Sequence, residues 1–194
     1  MEKNLFELWE QLQADKYRNL QAKGNDGIIM VTQPKLENCQ QQYYAAIRTE
    51  LPIPFGRYLQ PLWNKVNDWL KSQGISSPGP AIIRYFTTDM SKKLDIDFGF
   101  ELDQRIEVDD RIIVDVLPSG QYATLLYTGP YRGKGIFKAN IAMMEWAKAK
   151  GVVWNTSSKS GVEWWNGRVE RYLTDPRREQ DTKKYQAELA IMVK

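Results

Sequence analysis

The sequence predicts an α+β fold in which one strand–helix–strand unit occurs twice. Segments 44–75 and 122–152 both begin with Tyr-Ala, pass through a proline-containing turn, and end in a helical pattern that closes with Trp and then Gly. The Tyr-to-Trp separation is 25 residues in the first segment and 24 in the second, and an Arg-Tyr pair follows each, at 84–85 and 171–172. Each copy should carry its own sheet, and the two copies should face each other across a pseudo-twofold axis with a central cleft.

The composition excludes several classes of function. The chain has 194 residues, a net charge of +3, one cysteine and no histidine. The missing histidine rules out imidazole-based triads and His-bearing zinc sites, so no metal or cofactor is expected. Short basic clusters at 177–178 and 183–184 are interrupted by acids, and we therefore expect no nucleic-acid partner.

The N-terminal region carries acids and lacks a long apolar run, which argues against a signal peptide, a membrane anchor or a membrane partner. The single Cys39 fits a reducing compartment, and we expect a cytoplasmic protein. Apolar residues at helical spacing in 3–22 predict an N-terminal helix, packed on the outside of the domain or binding a partner. Segment 28–31 could be a short strand.

The elements of the first copy follow from periodicity and turn residues. Alternation and flanking prolines predict a strand over 36–50, and an apolar stripe predicts a helix over 56–73, closed by Gly74. Strands are predicted at 81–86 and 94–102, and 111–117 is interpreted as a hinge between the copies.

The second copy repeats this order. A strand is predicted at 121–127, a helix at 134–150, a polar surface loop at 155–161, and strands at 169–173 and 187–193.

An acid among strand residues is the first candidate for a site. Alternation places Glu170 and Tyr172 on one face of a strand and Arg171 on the other, with Trp164 and Trp165 nearby in sequence. A carboxylate beside aromatic rings suits an organic cation, because ring faces add cation–π attraction. The alternative is an exposed strand face on which Glu170 pairs with a Lys or Arg.

Two further groups of residues have a structural alternative. Tyr127 and Tyr131 could form the rim of a cleft around the Gly-Pro turn between them, with Tyr85 as their counterpart in the first copy. Three acids share one face of the strand at 94–102, but they lack the spacing of a calcium loop, and a solvated strand face is the better interpretation. These acids are Asp95, Asp97 and Glu101.

Five segments together resemble the GyrI-like small-molecule-binding domain, which is also the effector-binding module of multidrug-responsive regulators of the MerR and AraC types. The segments are 44–48, 80–85, 117–123, 127–131 and 170–176. The resemblance implies a SOUL-like fold of two strand–helix–strand–strand units around a cleft, in a bacterial protein. It places repeat one at about 36–102 and repeat two at about 112–194, within a ligand-binding domain at 34–194 that follows an N-terminal helix and lead-in strand at 1–33.

The same resemblance implies that Glu170 is the acid at the floor of the cleft and that aromatic residues form its walls. Tyr127 and Tyr172 match by motif position, whereas Trp164 and Trp165 are placed only by proximity in sequence. The expected ligand-binding residues are Glu170, Tyr172, Tyr127, Tyr131, Tyr85, Tyr44, Trp164 and Trp165.

The first 33 residues are too short for a helix-turn-helix domain, so the resemblance implies a stand-alone member. Binding of a small hydrophobic or cationic aromatic molecule, for drug sensing or sequestration, is ranked first, because a pocket is a weaker requirement than a reaction-ready geometry. The alternative is hydrolysis of cyclopropane-bearing, DNA-alkylating natural products, with Glu170 and Tyr127 as catalytic groups. A third possibility is an inhibitor that binds a protein partner of the DNA gyrase type.

Overall fold

The structure is a computed structural model that describes residues 29–52, 55–88, 93–107, 112–159 and 161–194. Its architecture confirms the predicted α+β class: a nine-stranded antiparallel sheet carries two helices, and a two-stranded hairpin lies beside it. The predicted N-terminal helix at 3–22 lies outside the described residues, and the division at residue 33 remains a prediction. No helix within the described ranges is long and apolar enough to span a membrane.

The helices are α1 (Gly56–Ser72) and α2 (Gly135–Lys150), and a short 3₁₀ helix covers Thr182–Lys184. The strands are β1 (Met30–Val31), β2 (Lys35–Cys39), β3 (Gln42–Leu51), β4 (Ala81–Tyr85), β5 (Leu94–Leu102), β6 (Ile113–Leu117), β7 (Gly120–Thr128), β8 (Thr156–Lys159), β9 (Val162–Trp165), β10 (Arg168–Tyr172) and β11 (Gln186–Met192).

The central six strands run in the order β7-β11-β10-β4-β5-β3, which is symmetric about the β10–β4 pair. Each half supplies three strands and one helix, as the repeat predicts. The halves share one continuous sheet, however, so the expectation of a separate sheet in each copy is wrong. Antiparallel pairing of Glu170 with Ile83 joins the two copies directly through backbone hydrogen bonds.

The edge strands exchange between the halves. β2 lies at the start of repeat one but pairs with β7 of repeat two, with Cys39 opposite Gly120. β6 lies at the start of repeat two but pairs with β3 of repeat one, with Gln42 opposite Leu117. Segment 111–117 is therefore an edge strand from residue 113 onward rather than a hinge. The single strand predicted over 36–50 is two strands, because the chain leaves one edge at Cys39 and joins a different strand at Gln42.

The polar segment 155–161 is not simply a loop. Thr156–Lys159 forms β8, which pairs antiparallel with β9 (Val162–Trp165). The serine-rich composition predicted a surface loop, but the partner strand carries Val and Trp residues that favour strand pairing.

Both helices pack on the same face of the sheet, and their ends follow the sequence signals. α1 buries Val66, Trp69 and Leu70 against the first half of the sheet, and α2 buries Ala139 and Met143 against the second half. Glycines with positive φ follow both helices, at 74 (φ 80°) and 151 (φ 67°), a backbone conformation that costs glycine little. The space between the two helices lies above the central strands.

At Gly99, strands β3 and β5 lie too close together to admit a side chain. A Cβ added at Gly99 would lie 2.7 Å from Ala46 Cα and closer still to the carbonyl oxygen of Ala45. We expect Gly99→Ala to lower the free energy of unfolding by about 3 kcal/mol, because the buried backbone must shift to admit the methyl group. Urea denaturation followed by circular dichroism measures it.

Gly56→Ala is the matched control, because a Cβ at Gly56 meets nothing within 4 Å. We expect it to change the free energy of unfolding by less than about 1 kcal/mol. Equal stability of the two variants would contradict the close approach of the strands at Gly99.

Candidate functional site

A cleft of about 640 Å³ lies between α1 and α2, above the central strands. Leu59 and Trp63 of α1 line one wall, and Ile136 and Phe137 of α2 line the other. The floor comes from β4, β5 and β10, and its acidic residue is Glu170. Since the two helices belong to different copies, the duplication itself creates the cleft.

Glu170 reaches the cleft because of the alternation along β10. The cleft lining includes Arg168, Glu170 and Tyr172, which are two residues apart, whereas Arg171 pairs with Glu101. Only 6% of the surface of Glu170 is exposed. The predicted facing of Glu170 and Tyr172 is therefore confirmed, and Glu170 is not an exposed strand residue.

Three donors hold the Glu170 carboxylate. The Asn140 amide donates to Oε1 at 2.9 Å, and the hydroxyls of Tyr172 and Tyr85 donate to Oε2 at 2.9 Å and 3.1 Å. Burial, together with the negative charge of Glu170, raises the pKa of both tyrosines well above the ordinary value. Both hydroxyls therefore stay protonated near neutral pH and remain donors.

Arg168 extends this network on the same side of the sheet. Its Nη2 donates to Asn140 Oδ1 at 3.1 Å, so the Asn140 side chain bridges Arg168 and Glu170. The guanidinium lies 4.5 Å from the centre of the Trp165 ring, and burial lowers the pKa of Arg168. The bridge fixes which end of the Asn140 amide faces the acid.

Aromatic rings form much of the remaining lining. Trp63 packs edge-on to Phe100, with ring centres 5.6 Å apart, and Tyr131 packs edge-on to Tyr172 at 4.9 Å. The Tyr131 hydroxyl donates to backbone carbonyls, including that of Thr174 at 3.1 Å, which fixes its ring at the second half of the cleft. Such contacts stabilise ring positions before any ligand arrives.

Of the eight predicted ligand-binding residues, the structure brings four into the cleft lining. These are Tyr85, Tyr131, Glu170 and Tyr172. Tyr127 is fully buried beneath α2, where its hydroxyl donates to the Pro130 carbonyl at 2.7 Å and its ring packs against Gly135. Tyr44 lies on the opposite face of the sheet, where its hydroxyl donates to Asp97.

The two tryptophans of β9 also lie outside the lining. Trp164 packs against Phe86 at 5.8 Å and under the Lys159 ammonium at 4.3 Å. Trp165 is buried behind Arg168, and its indole N–H donates to Thr88 at 3.0 Å. Trp164 and Trp165 were predicted in the site because they lie close to Glu170 in sequence. That prediction is wrong because a turn separates β9 from β10, so the two strands lie in different sheets.

The acidic face of β5 lies on the side of the sheet opposite the cleft and is not a solvated surface. The Asp97 side chain is completely buried and accepts hydrogen bonds from Arg48 at 2.8 and 2.9 Å and from Tyr44 at 2.7 Å. Glu101 pairs with Arg171 at 2.6 Å. The interpretation as a solvated face is wrong for Asp97, because Arg48 and Tyr44 of β3 enclose the carboxylate.

The predicted site residues omitted two members of the polar network around Glu170, Arg168 and Asn140, as well as the apolar walls of the cleft. Arg168 could have been found, since it lies two residues before Glu170 on the same strand and so shares its face. Asn140 gave a weaker signal, a single amide within the apolar run of α2. Its role depends on the distance between α2 and β10, which periodicity does not supply.

A double-mutant cycle tests the hydrogen bond between Tyr85 and Glu170. Tyr85→Phe removes a buried donor to a charged acceptor, and we expect a loss of about 2 kcal/mol in the free energy of unfolding. In a Glu170→Gln background the same change should cost about 1 kcal/mol, because the acceptor is then neutral. Urea denaturation of the four proteins gives the coupling energy.

Tyr131→Phe is the control for this cycle, because its hydroxyl bonds to the backbone and not to Glu170. Its cost should be the same in both backgrounds. A Tyr85→Phe cost that is also independent of Glu170 would contradict the hydrogen bond.

Comparison with solved structures shows the same fold in several proteins. The C-terminal domain of EcmrR is 18% identical, with a TM-score of 0.66 over 84% of this chain and 97% of that one. SAV2435 bound to tetraphenylphosphonium is 11% identical, with a TM-score of 0.54 over 84% and 94% of the two chains. A hydrolase from Listeria innocua is 11% identical, with a TM-score of 0.51 over 92% and 98%.

A search of curated proteins gives no match to the chain. The sequence model of the GyrI-like small molecule binding domain matches residues 32–194. This range contains the cleft, the three donors to Glu170 and both helices. The chain therefore belongs to the GyrI-like small-molecule-binding domain family.

Proposed function

We propose that the cleft binds amphipathic, cationic aromatic molecules and that the protein senses or sequesters them. The observation that carries this proposal is the position of Glu170, a carboxylate with 6% exposure at the floor of an aromatic cleft of about 640 Å³. The volume falls in the usual range for small-ligand sites. A lining rich in aromatic rings, with Glu170 fixed at its floor, suits a flat or propeller-shaped cation.

Two contributions to affinity are expected. Burial of ligand and wall surfaces supplies roughly 25 cal/mol per Å² of apolar area, before the cost of association. Trp63, Tyr131 and Tyr172 line the cleft, and a positive charge bound over one of these rings would gain cation–π attraction.

Glu170 would provide the charge preference. Its three hydrogen bonds hold both oxygens in place, so a bound cation meets an acceptor that needs no reorganisation. The solved complex of SAV2435 with tetraphenylphosphonium, a protein of similar fold, supports this cation as a first probe.

Glu170→Gln tests the charge preference by isothermal titration calorimetry with tetraphenylphosphonium. We expect the substitution to weaken binding of the cation roughly tenfold, about 1.4 kcal/mol. Binding of neutral triphenylphosphine oxide should change less than twofold, because the shape of the cleft is kept.

The structure suggests a rescue variant for this experiment. Arg168 holds the Asn140 amide with its NH₂ group toward residue 170. In Glu170→Gln the new amide can present its own NH₂ group to that NH₂, which places two donors against each other. Adding Asn140→Asp restores a donor–acceptor pair there and returns the negative charge to the cleft one contact away. Glu170→Gln/Asn140→Asp should recover most of the affinity for tetraphenylphosphonium, and a folded double variant no better than Glu170→Gln would contradict the charge role.

Hydrolysis is the second candidate function, and one specific observation favours it. A carboxylate lies within hydrogen-bond distance of two tyrosine hydroxyls, with Oε2 2.9 Å from Tyr172 and 3.1 Å from Tyr85. The carboxylate could accept a proton from water while a tyrosine donates one to the opened ring, so that water adds across a strained carbon–carbon bond. Tyr127, the tyrosine expected from the resemblance, is enclosed beneath α2 and is replaced in this proposal by Tyr85 and Tyr172.

Incubation with a cyclopropane-bearing alkylator, followed by mass spectrometry, tests this candidate. If the protein is a hydrolase, a product one water heavier should form faster than in buffer, and Glu170→Gln should abolish the excess rate. Tyr127→Phe should keep it. Turnover no faster than in buffer would exclude hydrolysis of that compound and leave binding.

A further inference from the structure

The cleft contains a half-buried cation as well as a buried acid. Arg168 and Glu170 both line it and are joined through Asn140. Among the lining residues that the structure describes, the charged groups are Glu170, Arg168 and the exposed Arg132 at the rim. The lining therefore carries a net positive charge, which a ligand with only a positive charge would increase.

Arg168 also has an unused donor. Its Nη2 bonds to Asn140 Oδ1, whereas Nη1 is buried and has no hydrogen-bond partner within the described part of the chain. A buried donor without a partner is costly and uncommon in folded proteins. Something that binds beside Arg168 and offers an acceptor would remove that cost.

The direction from which an acceptor can arrive is restricted. The Trp165 ring covers one side of the guanidinium at 4.5 Å, and the Tyr85 ring lies 5.8 Å away. Asn140 occupies the edge toward Glu170. Arg168 lines the cleft, and a small movement of this long side chain would bring the buried Nη1 to an acceptor bound there.

We propose that Arg168 selects ligands carrying an acceptor, a carboxylate or a carbonyl, next to their cationic aromatic part. This inference rests on the proposed binding function and specifies the preferred ligand class: zwitterionic or carbonyl-bearing organic cations bind more tightly than bare lipophilic cations of the same shape. Glu170 attracts the positive group, and Arg168 donates to the acceptor beside it. Burial lowers the pKa of Arg168, which is consistent with a guanidinium that lacks a full set of partners.

Two phosphonium probes separate these contributions. Butyltriphenylphosphonium and (3-carboxypropyl)triphenylphosphonium share the same cation and nearly the same shape, and they differ in the terminal carboxylate. By isothermal titration calorimetry, we expect the wild-type protein to bind the carboxylate probe more tightly, by roughly tenfold, the effect of one charge-assisted hydrogen bond.

Arg168→Met should move the two affinities in opposite directions. The affinity for the carboxylate probe should fall roughly tenfold, because its hydrogen-bond donor is gone. The affinity for the butyl probe should rise severalfold, because a like charge has left the cleft. Arg132→Met is the matched control: it removes the same charge from the exposed rim, where solvent and salt screen it, and should change the affinity for either probe less than about twofold.

Arg168→Lys covers the case in which loss of stacking on Trp165 unfolds the Met variant. Lysine keeps the charge but loses the forked donor geometry, so the preference for the carboxylate probe should fall to a few-fold. Equal weakening of both probes by Arg168→Met, or a wild-type protein without preference for the carboxylate probe, would overturn the role of Arg168 while leaving cation binding intact. A wild-type protein that binds neither probe would overturn the proposed binding function as well.

Discussion

The structure depends on one buried carboxylate that three elements hold in common. Glu170 of β10 accepts from Tyr85 of β4, from Tyr172 of its own strand and from Asn140 of α2. An acid with 6% exposure is costly unless such partners surround it. The same hydrogen bonds therefore satisfy the acid, join the two copies at their central strands and set the distance of α2 from the sheet. The cleft is the space that this arrangement leaves open.

A second buried polar network supports the opposite face of the same strands. Arg84 of β4 donates to Tyr44 at 2.8 Å and to the Val116 carbonyl at 2.9 Å, and Asp97 accepts from Tyr44 and Arg48. Arg84 and Tyr85 are neighbours on β4, so their side chains point to opposite faces of the sheet. The hydrogen bonds of Arg84 on one face therefore fix the strand that carries Tyr85 into the cleft on the other. β4 thus connects this polar network to the cleft. A fixed position of β4 suits a cleft whose rings are in place before a ligand binds.

The sequence predicted correctly those features that depend on a single strand or helix or on the repeat. Alternation placed Glu170 and Tyr172 on one face, and the repeat predicted the symmetric order of strands and a cleft between the copies. The sequence did not predict features that depend on pairing between segments far apart in the chain. Residues 113–117 form an edge strand because β3 of the first copy receives them, and Asp97 is buried because Arg48 and Tyr44 lie across from it. Asn140 became part of the site only through the docking of α2. Periodicity contains no information about such distances.

The most direct test of the central claim is the position of a bound cation. Crystals soaked with tetraphenylarsonium would show the arsenic atom by its anomalous scattering. We predict an anomalous peak in the cleft between α1 and α2, with phenyl rings against Trp63 and Tyr172 and the arsenic roughly 5 Å from the Glu170 carboxylate, the range of a direct charge interaction. A peak on the opposite face of the sheet, or in the cleft but remote from Glu170, would contradict this claim.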